Sequence, residues 1–486
     1  MKTEIKDIKP VQMGKMKHSL KVGSHNGGLD LMCRMYLDGE LIREFKGHSF
    51  LMPFAYGLHA LTHGGNANRF WGGIYDNDFT SRSTNIVGVS TGSPARINTQ
   101  YSRFYQLQDD DYIWIWGVQG TASVVNGMKR VKRVDNNSAD IYEMDGVTPV
   151  DTTGLSYDGG GYACLYGYRN SAVSQTDTHP QVLNSWDLIV GTDNSPVAID
   201  DFGLGSRVQK GSGADQMSHT DTQISAQTTN KPSSRFTLSR SYTNNSGASI
   251  EINEIGIATR QLGHFNDSNE LYTTSLIARD VLGSSVTVAD TKTLTVQYEV
   301  ITNLNPDTQD TETDGTNGGF VETFLNTMRV LATQSNYNYT DAKAFSSCST
   351  PANTNQNTDD NYEGYRTGIR LGTDQTFTSM TDADLLSIIN HGEADGELYH
   401  YGCNIEDDMV VDTANDKCVI EINRIFENRG STDITIKEIG LYANRDLGGS
   451  NYSSDLIART ALQSTDWYTI SPGEFVQVTY TIEVIA

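Results

Sequence analysis

The sequence predicts a mainly β protein: tandem antiparallel β-sandwich modules, of jelly-roll or immunoglobulin-like topology, with a few short helices. Three observations carry this. Apolar residues recur with period 2 along many short stretches, turn-forming Gly, Asn, Asp and Ser separate those stretches, with Gly alone at 45 of 486 positions, and a block of strand-like sequence occurs twice. Period 2 sends alternate side chains to opposite faces of a strand. The turn residues supply the left-handed backbone and local hydrogen bonds that hairpins require.

The duplication weighs most, because a long internal repeat sets the architecture of a chain. RSYTNNSGASIEINEIGIA from Arg240 aligns with RIFENRGSTDITIKEIGLYA from Arg424, until the second copy gains Tyr442. Arg240, Asn244, Ile250, Ile252, Glu254, Ile255 and Gly256 then fall on Arg424, Asn428, Ile434, Ile436, Glu438, Ile439 and Gly440, at an offset of 184. LIARDVL from Leu276 matches LIARTAL from Leu456. Each copy closes on an alternating strand, Leu294, Val296, Tyr298, Val300 in the first and Val476, Val478, Tyr480, Ile482 in the second. Upstream, Val190-Gly191-Thr192-Asp193 is answered by Leu371-Gly372-Thr373-Asp374.

In chain order, residues 1–64 form an N-terminal segment with a hairpin and a short helix. The hairpin follows from alternation between Leu29 and Phe45 around the turn dipeptide Asp38-Gly39. Phe50, Phe54, Leu58 and Leu61 share one helical face, and the spacing recurs as Phe320, Phe324, Met328 and Leu331, so each copy is expected to lay a short amphipathic helix on its sheets. Counted from Phe50, Pro53 falls inside the first helix, an awkward place for a residue without an N–H. Residues 65–180 are a β-rich insertion, 181–304 the first repeat sandwich, 305–318 an acidic linker, and 319–486 the second repeat with its helix and sandwich. Parity breaks within both repeats: Ile250 and Ile252 are even but Ile255 and Ile257 odd, and Ile434 and Ile436 even but Ile439 and Leu441 odd. If all are to face the core, an extra residue must be inserted, which places bulges at Asn253/Glu254 and Lys437/Glu438.

The formal charge of −24, from 36 Lys plus Arg and 60 Asp plus Glu, argues against direct nucleic-acid binding through phosphate neutralisation and against an anionic membrane as partner. No apolar stretch is long enough for a membrane span. The N-terminus lacks the apolar core of a signal peptide, so folding in a cytoplasm is expected. Cys33, Cys164, Cys348, Cys403 and Cys418 are dispersed and odd in number, which reads as reduced packing residues rather than a disulfide or zinc framework.

No catalytic, cofactor-binding or metal-ligating residue is assigned. Gly88-Val89-Ser90-Thr91-Gly92 fits the spacing of a serine nucleophile elbow, but Pro94 follows and no helix pattern continues, so it reads as a turn. Asp310 to Gly315 mimics the start of a calcium loop whose twelfth position is Val321 instead of an acid, and reads as acidic linker. His391, Glu393, His400 and Cys403 resemble half of a zinc-deaminase pattern whose second half is missing. No phosphate-binding Walker loop, dinucleotide fingerprint or HExxH is present. Tyr112, Trp114 and Trp116 alternate along one strand. They are glycan-stacking candidates if outward, and core or subunit-interface residues otherwise.

Four charged residues stand inside otherwise apolar strands: Glu254 and Arg279 in the first copy, Glu438 and Arg459 in the second. A charge removed from water needs a partner, so Glu254 is expected beside Arg279 and Glu438 beside Arg459, with both members pointing to solvent as the alternative.

The ordered set of Gly-Thr-Asp, an Asn-Ser-Gly turn at Asn245 to Gly247, Glu-Ile-Gly-Ile/Leu, Leu-Ile-Ala-Arg and a closing strand resembles a module of tailed-bacteriophage virion proteins. Glu438 to Tyr442 matches it most closely, and YLDGELIREFKGHSF from Tyr36 resembles the opening of such proteins. The resemblance covers about two thirds of the chain and excludes the 65–180 insertion. It implies a structural, non-enzymatic virion component made in the host cytoplasm, without cofactor, that forms a homo-oligomer and docks on other virion proteins in the head, neck or tail. The alternative is a glycan- or receptor-binding appendage that contacts a host-surface glycan.

Overall fold

The computed structural model describes residues 13–22, 28–47, 49–52, 54, 55, 58, 83–100, 112–143, 147–165, 170–172, 186–201, 203–265, 269–304, 316–333, 345–347, 368–405, 410–448 and 451–486. Strands dominate, arranged in several sheets.

The first half begins with the expected hairpin, β2 (Gly28–Leu37) and β3 (Glu40–Gly47), turned at Asp38 and Gly39 with φ of 50° and 87°. β2 joins a sheet with β12 (Ser233–Asn244) and β15 (Thr293–Asn303). The facing sheet holds β10 (Trp186–Gly191), β13 (Ile250–Phe265) and β14 (Asn269–Val288). Inward residues of both, among them Phe236, Tyr298, Ile255 and Ile257, are buried in one core. The second half repeats the plan. β19 (Lys417–Glu427) and β24 (Phe475–Ile485) correspond to β12 and β15, while β17 (Gly368–Gly372), β21 (Glu438–Gly448) and β22 (Asn451–Leu462) correspond to β10, β13 and β14. Even the register repeats: Arg240 lies opposite Val296, and Arg424 opposite Val478.

All eight parity-marked residues except Ile257's partner position Leu441 are isoleucines, and all eight are buried. The ladder slips at the expected place, but not by one inserted residue. Ile252 pairs with Val286 and Glu254 with Val281, so two residue steps on β13 span five on β14, and the excess lies on the partner strand. In the second half Lys437 separates β21 from β20 (Ile434–Ile436), which pairs with β23 (Tyr468–Ile470) in a ladder of its own.

β1 (Met13–Val22) departs from the expected antiparallel, segment-by-segment arrangement. It lies parallel to the C-terminal β24, from Met13 opposite Phe475 to Val22 opposite Val484, and meets β2 only through Lys21 with Gly28 and Val22 with Leu29. A Cβ at Gly28 would overlap the Lys21 carbonyl, which is why glycine opens β2. One thirteen-stranded sheet therefore runs through both halves, and one apolar core accompanies it. The N-terminal segment is thus shared between the two sandwiches. Parallel pairing of the two chain ends needs no local turn, so no short-range sequence signal announces it.

The halves also brace each other reciprocally. Met52 N donates to Ile199 O, and Ile199 N reaches Asp416 Oδ1 in the second half at 3.4 Å. In the corresponding place Glu322 N donates to Met380 O, and Met380 Sδ accepts from Thr302 Oγ1 of the first half. α1 (Glu322–Thr333) buries Phe324, Leu325, Met328 and Ala332. Its first-copy counterpart is helical and buried at Met52, Phe54, Ala55 and Leu58. Phe54 N and Ala55 N both bond Leu51 O, so this helix starts after Leu51; Pro53, the awkward residue of the sequence pattern, lies outside the described residues. The side chains of Leu61 and Leu331 lie outside the described residues.

Within the 65–180 insertion, β4 (Ser83–Val89), β5 (Ala95–Thr99), β6 (Tyr112–Val118), β7 (Gly127–Arg133), β8 (Ser138–Tyr142) and β9 (Gly160–Leu165) close into a barrel. Ile97, Ile113, Ile115 and Ile141 fill it as a core separate from that of the sandwiches. Closure leaves no strand edge.

Candidate functional site

Three motifs far apart in sequence converge on one buried polar node in each half. In the first, Glu254 and Arg279 are 0% and 2% exposed. Arg279 Nε donates to Glu254 Oε2 at 2.9 Å, Nη1 to Asp201 Oδ2 at 2.7 Å and Pro196 O at 3.3 Å, and Nη2 to Asp193 Oδ2 at 3.1 Å and Ser195 O at 3.2 Å. All five guanidinium N–H groups therefore have acceptors. Glu254 in turn accepts from the backbone N–H groups of Gly205 and Ser206 at 3.1 and 2.9 Å. The Ser195 hydroxyl, and then Arg279, hold Asp193 below the usual carboxylate range.

The second half rebuilds this node. Glu438 and Arg459 are both fully buried. Arg459 Nε donates to Glu438 Oε2 at 2.9 Å, Nη1 to Asp382 Oδ2 at 2.8 Å and Phe377 O at 3.3 Å, and Nη2 to Thr376 O at 3.0 Å. Ser387 N donates to Glu438 Oε1 at 2.9 Å, matching Ser206. Asp374 turns instead to Thr376, whose hydrogen bonds lower its carboxyl pKa.

The Gly-Thr-Asp turn explains itself here. A Cβ on Gly191 would stand 2.8 Å from Glu254 Cδ, and one on Gly372 would stand 2.7 Å from Glu438 Cδ, so glycine makes the space the buried carboxylate fills. The following Thr192 and Thr373 each bond the serine hydroxyl across the loop, Ser206 at 3.0 Å and Ser387 at 2.9 Å. Chemically each node is a clamp. It holds residues 192–206, or 373–387, over the outer face of its sheet, and its guanidinium is spent on that task. No protein-family model and no curated protein matches the chain.

A second recurrent arginine ties the two sheets together inside each sandwich. Arg240 donates to Leu188 O and Thr220 O, both at 2.7 Å, and pairs with Asp187 at 2.6 Å. Arg424 donates to Ile369 O and Tyr401 O, both at 2.9 Å. Asn244 and Asn428 pin the neighbouring turns, each through Nδ2 to two backbone carbonyls. Sequence reasoning aligned these residues but gave them no role, and it missed Asp201 and Asp382 altogether. Their signal was present: both lie eight residues after the Asp of Gly-Thr-Asp.

The other candidates are placed as follows. Ser90 precedes a turn into β5, a strand where an elbow has a helix, and its Oγ accepts from Arg96 N at 2.8 Å. Tyr112, Trp114 and Trp116 occupy alternate positions of β6, between the buried Ile113 and Ile115; their side chains lie outside the described residues. Residues 310–315 lie outside them too. Glu393 pairs with Arg429 at 2.6 Å, while the His391 and His400 rings pack edge to face with centroids 5.4 Å apart. Cys33, Cys403 and Cys418 are buried and form no disulfide among the described residues. No helix among the described residues is long and apolar enough to cross a membrane.

Proposed function

We propose that the chain is a structural, non-catalytic component of a tailed-virus particle, made in the host cytoplasm and acting by self-assembly and docking onto other virion proteins. The observation that carries this reading is the pair of buried clamps. They bring three motifs of the virion-protein resemblance together, Gly-Thr-Asp, Glu-Ile-Gly and Leu-Ile-Ala-Arg, and they commit those motifs' charged groups to rigidity. A loop locked by an arginine with all its donors engaged suits a part that presents a fixed surface to repeated neighbours. The charge of −24 keeps such a subunit soluble before assembly and away from packaged DNA.

Sedimentation of the purified protein across a wide concentration range, with mass spectrometry of purified particles, tests the proposal. Discrete homo-oligomers and stoichiometric presence in the particle are expected. A strictly monomeric protein absent from particles would overturn it. The competing reading, a glycan-binding appendage, has the β6 aromatic positions in its favour. Under that reading Trp114→Ala abolishes attachment to host-surface glycan while particles still form.

A further inference from the structure

We infer that the edge of β1 along Met13 to Leu20, unpaired among the described residues, is a strand-acceptor site for an extended acidic segment of a partner chain. The inference draws on the assembly reading only in taking that partner to be another virion subunit. Among the described residues, β1 pairs along its length with β24 on one side, but on the other side only Lys21 and Val22 are paired, with the start of β2. Met13 to Leu20 thus present a row of backbone N–H and C=O groups on that side, the template to which a strand is added. The corresponding strand of the first half, β2, has its own second edge taken by β3, with Leu31 opposite Gly47 through Leu37 opposite Glu40. The plan of the fold therefore has a strand at that place in one half and a vacancy among the described residues in the other.

Charge selects the occupant. Met16, Leu20 and Val22 point into the core, while Lys15, Lys17, Ser19 and Lys21 form the exposed face of β1. Lys15 and Lys17 stand opposite the uncharged Gln477 and Thr479 of β24, in a chain whose net charge is −24. Like charges directly opposite one another destabilise a strand pair, so β1 of a second copy is rejected. A segment with acids at alternate positions sets a carboxylate opposite Lys15 and Lys17 and leaves its other face for the sheet beneath. An unpaired basic edge can also serve only to prevent aggregation. The experiment separates the two roles.

A fluorescent peptide alternating Thr and Glu over nine residues is titrated into the full chain at low and high salt. Saturable, salt-weakened binding is expected, reduced about tenfold or more by Lys15→Glu with Lys17→Glu. N-methylation of the peptide at alternate residues removes the ladder donors without changing charge, and it should abolish binding. A Thr/Lys peptide should not bind. Equal binding of the methylated peptide would reduce the site to a charged patch and overturn the inference, as would no binding at all. Binding that appears only after Asp310, Glu312 and Asp314 are changed to their amides would mean the chain fills the edge itself, and would overturn the partner assignment. Particle incorporation is unaffected by any of these failures, so the assembly reading stands or falls separately.

Discussion

Gly372 and Glu438 are fitted to each other across β17 and β21: the glycine hydrogen occupies the only room left by a carboxylate that accepts from Ser387 N and Arg459 Nε, both at 2.9 Å. The same relationship holds between Gly191 and Glu254. A methyl group at either glycine must displace the carboxylate from its donors. Gly372→Ala should therefore destabilise the protein by about 1–3 kcal/mol, the usual cost of overpacking a tight site. Gly283→Ala, where nothing stands within 4 Å, is the control and should be near neutral. Chemical denaturation of both variants decides the matter.

Replacing Arg459 by Met leaves Glu438 fully buried without its cation. A loss of about 3–5 kcal/mol is expected. Replacing Glu438 and Arg459 together by Met should cost less than the sum of the single changes, by about 0.5–3 kcal/mol of coupling. Thermal unfolding of the four proteins reads this out, and an unchanged midpoint for Arg459→Met would show that the pair contributes nothing.

Ser90 should resist a fluorophosphonate probe in the folded protein. Its hydroxyl is engaged by Arg96 N, and the chain continues into a strand. Mass spectrometry of the treated protein is the check. Labelling at Ser90 would reopen the catalytic reading of the Gly-x-Ser-x-Gly turn.

His18, on β1, is buried against Tyr480, with Nε2 within 2.8 Å of Thr460 Oγ1, and burial lowers its pKa from 6.5 to about 4. Folding thus favours the neutral ring. Its contribution is complete above pH 6.5, falls as the unfolded chain takes up the proton below that pH, and is fully lost below pH 4. The stability advantage of wild type over His18→Gln should shrink by about 3 kcal/mol between pH 7 and pH 4. Urea denaturation across that range measures it, and a constant difference would show that His18 does not titrate as its burial dictates.

Period and repetition were legible in the chain before folding. Alternation predicts strands because a pleated chain sends successive side chains to opposite faces, and the parity break at Ile252 and Ile255 located the slip in the ladder because both residues had to be buried. Charges inside apolar strands pointed to Glu254, Arg279, Glu438 and Arg459, since burying a lone charge is too costly to persist. Tertiary structure alone decided the rest. It set the parallel pairing of β1 with β24, the single sheet through both halves, the bracing of Ile199 by Asp416, and the choice of Asp201 and Asp382 as further arginine partners. These join residues from distant parts of the chain through backbone edges and loop carbonyls, which every residue carries alike. A pattern of side chains cannot specify which edge meets which until the core has brought them together.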